Sequence, residues 1–424
     1  MSSRSAAGGG GNGAGGGSSA GGGNGAAGGN GPGSDGPASP GSGSGAGGNG
    51  GNGPTSPGPG PTGPSLHVVR FAPAKLNLTL AIEGKRDDGF HSIHSVFVPL
   101  ALGDVLTATP TAAGGTRDSL RIVGLTLAAA PDNLVLRAFA ATREAVAKTW
   151  PGAPATPPRL SARLTKHIPI AAGLGGGSTD AAAAIDAALT AWGAGLEPAK
   201  RAELAASIGS DVPFFLAGGA ALVTGRGEFV DPLPDFQGDP PAVLLITPHL
   251  PVSTAEVFRA YANGARPSDP SRAGKVSERL AIAMKVGMTS RDLLGWAKEL
   301  ADANDLVPAA LSVAPELKDF GLALERLLGR PICQSGSGPT LWALYANVAD
   351  ACKAVRFVRL AATDGSLPRI GTLEPFVAAT TIEVRPVPPA VQPTGETSGT
   401  IRRFTVHNWT DKTDNDEPTK LKGD

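Results

Sequence analysis

The stretch from Lys166 to Ala184, KHIPIAAGLGGGSTDAAAA, limits the fold of this chain more than any other. It reads as a short strand ending near Ile168, a glycine-rich loop, and an alanine-rich helix from Ala181 to Trp192. Gly173, Gly175, Gly176 and Gly177 remove side chains where a bulky anion would lie against the backbone, and they permit positive φ. Ser178, Thr179 and Asp180 stand where the helix N-cap and first turn are expected. N–H groups converging at a helix N-terminus, reinforced by the helix dipole, form a phosphate cradle. Two common cradles are excluded. No lysine follows the glycines, as the Walker loop requires, and the dinucleotide pattern fails where Gly173-x-Gly175-x-x is followed by Ser178. The competing explanation is a tight turn without a ligand, but four glycines in five positions exceed what a tight turn needs.

Residues 1–64 are almost entirely Gly, Ser, Ala, Asn and Pro, with only Arg4 and Asp35 charged. Such a segment cannot bury enough apolar surface to offset its ordering entropy, so it is expected to be a disordered tail. Residues 388–424 form a second polar tail in which Ile401, Phe404, Val406 and Trp409 could dock locally. Roughly 320 residues lie between them, enough for two modest domains, expected over 65–240 and 241–387. The formal net charge is zero, which points away from nucleic acid and anionic membranes as partners. Cys333 and Cys352 are too few for a disulfide framework or a metal site, and no apolar run approaches a transmembrane length. Without an apolar signal core or an arginine-rich leader, the expected compartment is the cytoplasm.

The folded part opens with LHVVRFAPAKLNLTLAI, a strand with Leu76, Leu78, Leu80 and Ile82 on one face. Lys75, Asn77 and Thr79 share the other face, which is either solvated or functional. Asp88-Gly89 marks a turn, and Phe90-His91 follow it at a loop edge. That pair could stack on and hydrogen-bond a planar base, or be a packed Phe beside a surface His. HSIHSVFVPL and DVLTATP read as two further strands, and Asp132-Asn133 as the cap of a helix from Leu134 to Lys148. Asp211, between a helix that stops at Gly209 and an apolar segment, is either an N-cap or a tuned base. From Pro240 the pattern restarts with a buried strand, a run of helices, and PICQSGSGPTLWALY as strand, glycine loop and strand. The layout is α+β rather than alternating βαβ.

PAKLNLTL, DGFH, IPIAAGLGGGSTDAA, GSDVPFFL and SGSGPTLWAL occur in this order over Val68–Val387. Together they resemble the galactokinase–homoserine kinase–mevalonate kinase–phosphomevalonate kinase (GHMP) superfamily. PAKLNL with GxRxDGFH and GLGGGS is similar to its 4-diphosphocytidyl-2-C-methyl-D-erythritol kinase family. The resemblance implies an α+β, two-domain fold: a ribosomal-protein-S5-like N-terminal domain, an α+β sandwich C-terminal domain, and an active site in the cleft between them. It implies ATP and Mg²⁺ as cofactors, that diphosphocytidyl compound as small-molecule substrate, and a monomer or homodimer. Lys75 and Asp211 match the family's catalytic pair. Pro169, Ala172, Gly173, Leu174, Gly175, Gly176, Gly177, Ser178 and Thr179 would bind ATP, with Ser178 near the Mg²⁺. Asn77, Phe90, His91, Phe258, Gly336 and Gly338 would serve the substrate, the aromatic group holding its cytosine. Three features depart from the family pattern: Phe90 replaces a tyrosine, Gln334 stands where an apolar residue is common, and the N-terminal tail is additional. The alternatives are a superfamily kinase acting on homoserine, mevalonate or a sugar, and a member that binds ligand without turning it over.

Overall fold

The computed structural model describes residues 67–383 apart from 112–114, 125–131, 150–156 and 372, so both expected tails lie outside the described residues. The first half runs β1 (Val68–Asn77), β2 (Ala81–Lys85), β3 (His91–Pro110), β4 (Ser119–Val123), α1 (Leu134–Thr149), β5 (Leu160–Thr165), α2 (Gly176–Trp192), α3 (Pro198–Ile208), α4 (Val212–Ala217), β6 (Ala221–Gly225) and β7 (Phe229–Pro232). The second half runs β8 (Ala242–Thr247), α5 (Thr254–Ala262), α6 (Arg272–Val286), α7 (Ser290–Gly295), α8 (Ala297–Ala301), α9 (Val307–Val313), α10 (Glu316–Leu328), β9 (Cys333–Gln334), β10 (Leu341–Tyr345), α11 (Val348–Thr363) and β11 (Phe376–Thr381).

β1–β7 form one sheet in the order β4-β5-β3-β6-β7, with β1 and β2 also pairing with β3; β8–β11 form a second in the order β11-β8-β10-β9. Among the strands of the described residues, β4 and β5 pair in parallel and the other pairings are antiparallel. The α+β, two-domain layout expected from the sequence is what the chain adopts. One face of the first sheet is covered by α1 and α2, whose Phe139, Ala184 and Ala188 pack on Ala72 and Leu106. The alanines of α2 have high helix propensity and, lacking bulk, bring the helix axis close to the strands. Leu76, Val98, Val243, Leu280 and Trp342 belong to one continuous core that joins the two halves. This core places the glycine loop before α2 opposite the loop between β9 and β10.

Several boundaries differ from expectation, each for a physical reason. HSIHSVFVPL and DVLTATP are not two strands but the single 20-residue β3. Gly103 does not turn the chain there; a Cβ on it would lie 2.5 Å from the Ala72 carbonyl oxygen and from the Phe71 ring, so glycine serves close packing. The strand before the loop ends at Thr165 rather than near Ile168. Conversely α2 begins at Gly176, well before Ala181, and its N-cap is Gly175 at φ 72° with no side-chain cap bond. Ser178, Thr179 and Asp180 are therefore helical residues, and the first-turn amides are left uncapped. The long first strand divides into β1 and β2, with a register shift between Pro73 and Lys75. Its polar face is not solvated: Lys75, Asn77 and Thr79 are all buried.

Candidate active site

A cleft of about 1020 Å³ runs from the glycine loop to the end of β2 and α5. Its floor is the polar face of β1. The irregularity between Pro73 and Lys75 lies just before Lys75; such bulges re-aim a side chain relative to the sheet. Lys75 Nζ donates to Asn77 Oδ1 at 2.6 Å, lies 3.7 Å from Asp211 Oδ2, and sits 4.7 Å from the centroid of the Phe97 ring. Burial pushes the Lys75 ammonium below its ordinary pKa, while the Asp211 carboxylate opposes that shift. Asp211 occupies the N-cap position of α4 but makes no side-chain cap bond, and its carboxylate remains partly exposed to the cleft. Asp211 thus faces Lys75 and the cleft rather than capping α4.

The glycine loop closes over this pair. Pro169, Ala172, Gly173, Leu174, Gly175, Gly176, Gly177 and Ser178 line the cleft, whereas Thr179 is buried behind them with its Oγ1 unpartnered. Leu174 O accepts from Lys75 N at 2.9 Å, tying the loop to β1. Protein packing already demands two of the glycines. A Cβ on Gly173 (φ 73°) would stand 2.4 Å from the Ser335 carbonyl oxygen, and one on Gly175 (φ 72°) would meet Phe215 and Lys75 below 3.0 Å. Gly173 O also accepts from Ser335 Oγ at 3.0 Å. Gly336 lines the cleft within reach of Lys75 and Asn77, while Gly338 lies behind it, its carbonyl oxygen turned toward Gly173. Asn304 Nδ2 donates to the carbonyls of Gln334 and Gly336, fixing that opposing loop.

A charged cluster beneath the loop was not anticipated from the sequence: Lys166, Asp104 and Asp180, the last expected only as a capping residue. Lys166 Nζ donates to Asp180 Oδ2 at 2.7 Å and to Asp104 Oδ2. Asp104 Oδ1 accepts from the backbone N–H groups of His167 and Ile168 at 2.6 and 2.9 Å, which holds the turn entering the loop. Burial pushes Asp180 up to about 8, with the Lys166 ammonium opposing and the Asp104 carboxylate adding to the shift. Burial alone would lower Lys166; the two carboxylates outweigh it and raise its pKa. Their sequence separations are too wide for any local pattern to have joined them.

At the other end of the cleft the rings of His91 and Phe258 stack at 5.6 Å, and Tyr261 meets His91 edge-on at 5.8 Å. Phe90 is 51% exposed, with the Arg226 guanidinium carbon 5.5 Å from its ring centroid. Burial, then the Lys85 and Arg266 charges, lower the His91 pKa and favour its neutral imidazole. Asp88 Oδ1 accepts from Phe90 N and so shapes the tip. Tyr261 and Arg226 carry no sequence motif; only the packing of α5 against β2 and the β6–β7 turn brings them here.

The residues fit a nucleoside triphosphate through the uncapped amides of α2 and the uncluttered loop. Among the described residues no group of three or more His, Cys, Asp or Glu could hold a metal ion by itself. Ser178, in the first turn of α2 and lining the cleft, offers an oxygen donor of the kind Mg²⁺ takes beside phosphate oxygens. Among the same residues no helix is long and apolar enough to cross a membrane.

Residues 133–219 match the family model of the GHMP kinases N terminal domain. The chain is 39% identical over 284 residues to the 4-diphosphocytidyl-2-C-methyl-D-erythritol kinase of Pelotomaculum thermopropionicum, covering 67% of this chain and 91% of that one. It is 38% identical over 288 residues to the enzyme of the same name from Paramagnetospirillum magneticum, covering 66% and 90%. Among solved structures, a 4-(cytidine 5'-diphospho)-2C-methyl-D-erythritol kinase superposes with a TM-score of 0.51 at 28% identity, over 74% of this chain and 99% of the other. Homoserine kinase from Cytophaga hutchinsonii superposes at 0.54 over 74% and 95%, but at 18% identity it speaks for the fold alone.

Proposed function

The chain belongs to the 4-diphosphocytidyl-2-C-methyl-D-erythritol kinase family of GHMP kinases, and on that premise we propose that its cleft transfers the γ-phosphoryl group of ATP to that compound's 2-hydroxyl. The products are the 2-phosphate and ADP, in non-mevalonate isoprenoid precursor biosynthesis. The observation that carries the assignment to this cleft is its continuity: one cavity holds the Lys75–Asp211 pair at one end and the His91–Phe258 stack at the other. An acceptor that is a polyol at one end and a cytosine at the other spans both.

In this reading the loop from Pro169 to Gly175 and the free first-turn amides of α2 hold the triphosphate, aligned by the helix dipole, with Thr179 buried behind them. Ser178, helped by the phosphates, would hold Mg²⁺, which supplies charge neutralisation when bound. Asp211 accepts the proton of the 2-hydroxyl or orients it as the new O–P bond forms and the bond from Pγ to the β-phosphate oxygen breaks. Lys75 faces Asp211 and the transferring group; Asn77 holds Lys75. Neutral His91 hydrogen-bonds the cytosine, with Phe90 and Phe258 offering ring faces, while Gly336 and Gly338 shape the acceptor wall. The division into domains at 240/241 is supported by the change of sheet between β7 and β8. The reading carries with it a cytoplasmic enzyme acting as a monomer or homodimer. Acceptors such as homoserine, mevalonate or a sugar offer nothing for the aromatic end.

A coupled ADP-release assay tests the assignment by offering the cytidyl compound, mevalonate and homoserine separately with Mg-ATP. Turnover with the cytidyl compound alone is expected; turnover with another acceptor would keep the fold and discard the substrate. Asp211→Ala should abolish turnover while ATP binding stays measurable, and retained turnover would remove Asp211 from its role.

A further inference from the structure

We infer that Ser95 is a positioning residue for phosphoryl transfer: by accepting a hydrogen bond from the Asn77 amide it fixes which end of that amide faces the Lys75 ammonium. This rests on the proposed role of Lys75.

Donor and acceptor chemistry fixes the orientation of each group in this row. An ammonium group only donates, so the Asn77 atom 2.6 Å from Lys75 Nζ must be the carbonyl oxygen. The amide nitrogen then points the other way and lies 3.1 Å from Ser95 Oγ. That nitrogen only donates, so Ser95 Oγ accepts from it and passes its own proton to the Thr79 carbonyl oxygen, to which it is closely hydrogen-bonded. Each group has one allowed role, and the chain runs in one direction from Lys75 to Thr79. Lys75, Asn77, Thr79 and Ser95 are all buried, Ser95 completely, so the bonds from Asn77 through Ser95 to Thr79 are shielded from water behind the cleft floor.

Two further bonds hold the far end. Thr79 Oγ1 accepts from Val96 N at 3.0 Å and donates to Ser277 Oγ at 2.9 Å. Ser277 sits on α6, so the strand segment that sets the amide is anchored to the second half of the protein. Without the Ser95 hydroxyl, only Lys75 selects the amide oxygen; the Asn77 nitrogen loses its acceptor, and the amide is free to turn off the ammonium or into the flipped form that sets donor against donor. The ammonium would then lose its nearest acceptor and move relative to Asp211. The groups facing that ammonium are the Asn77 amide, the Asp211 carboxylate and the Phe97 ring.

The test compares Ser95→Ala and Ser95→Thr with the parent enzyme in kcat, in KM for ATP and for the cytidyl acceptor, and in the pH dependence of kcat. Ser95→Ala is expected to lower kcat by about tenfold or more, with KM for ATP moving less than about threefold. Its alkaline limb should shift to lower pH, because an ammonium that loses an acceptor gives up its proton more readily. Ser95→Thr keeps the hydroxyl and should retain most of kcat. In an Asn77→Asp background, where both carboxylate oxygens accept, Ser95→Ala should have much less effect, which a general packing defect would not produce. Parent-like kcat and alkaline limb in Ser95→Ala, or an undiminished Ser95→Ala effect in the Asn77→Asp background, would overturn the inference. Lys75→Ala run alongside separates the two levels: if it retains turnover, the Lys75 role itself fails. If it is inactive while Ser95→Ala is parent-like, only the Ser95 inference fails. Should Ser95→Ala fold poorly, Ser95→Cys keeps the volume, weakens the acceptor and carries the same comparison.

Discussion

Asp104 offers the most discriminating single perturbation, because its two oxygens do different work. Oδ1 accepts from the backbone N–H groups of His167 and Ile168, while Oδ2 accepts from Lys166. Asp104→Ala orphans both N–H groups, the buried one of Ile168 and the half-buried one of His167, at about 1–3 kcal/mol each, and leaves Lys166 with Asp180 alone. A water entering the vacated space would bring the total toward the lower end, so about 3 kcal/mol is expected. Asp104→Asn keeps both backbone bonds at its Oδ1 and presents an amide nitrogen to the ammonium. Removing the Asp104 charge also eases ionisation of Asp180, which then pairs with Lys166 unopposed. The loss should be only about 1–2 kcal/mol. Equilibrium unfolding in urea, followed by tryptophan fluorescence and far-UV circular dichroism, measures the pair. Equal losses in the two variants, or an Asp104→Ala loss below about 1 kcal/mol, would refute the claim that Oδ1 holds the turn entering the phosphate loop.

Three further outcomes follow from the same geometry. Asp180 has a folded-state pKa of about 8, above the ordinary carboxylate value, so the folded protein holds a proton there that the unfolded chain has released. Its contribution to stability is full below the ordinary carboxylate pKa and is lost as pH rises through about 8, by up to about 1.4 kcal/mol per pH unit. Lys166 acts only at more alkaline pH, so Asp180→Asn should flatten the stability profile between pH 5 and 8; an unchanged slope would contradict the burial argument. Gly173→Ala forces a Cβ to 2.4 Å from the Ser335 carbonyl oxygen at a left-handed φ, costing about 1–2 kcal/mol before any clash is relieved. It should displace the loop and lower kcat/KM for ATP at least tenfold, and parent-like kinetics would contradict the close approach. His91→Ala should raise KM for the cytidyl acceptor more than KM for ATP, by about tenfold or more, and equal effects would argue against base recognition. With its pKa lowered, His91 in the parent enzyme should leave the acceptor KM flat above pH 7.

The elements that were legible in the sequence share one property: their signal is local. The glycines before α2, the alternation of β1, the Asn133 cap and the Gly209 helix stop each follow from backbone preferences within a few residues. So did the family, because its five motifs are contiguous peptides in fixed order. Lys75, Asn77, Asp211, His91 and Phe258 could be named in advance, and the fold brings them to one cleft. Where local signals competed with packing, expectation failed. HSIHSVFVPL and DVLTATP read as two strands but form the single β3, in which Gly103 serves the approach of Phe71, and Ser178 to Asp180 looked like caps but lie inside a helix that starts at Gly176. Lys166 with Asp104 and Asp180, Tyr261 against His91, and Ser95 behind Asn77 became visible only in three dimensions. Each of those contacts joins residues well separated along the chain, and its strength depends on burial. The sequence by itself determined which chemistry is available and roughly where each element begins. Tertiary structure decided which polar groups lose water and which partners they then must take, since desolvation, not spacing, makes a hydrogen bond or a charge obligatory.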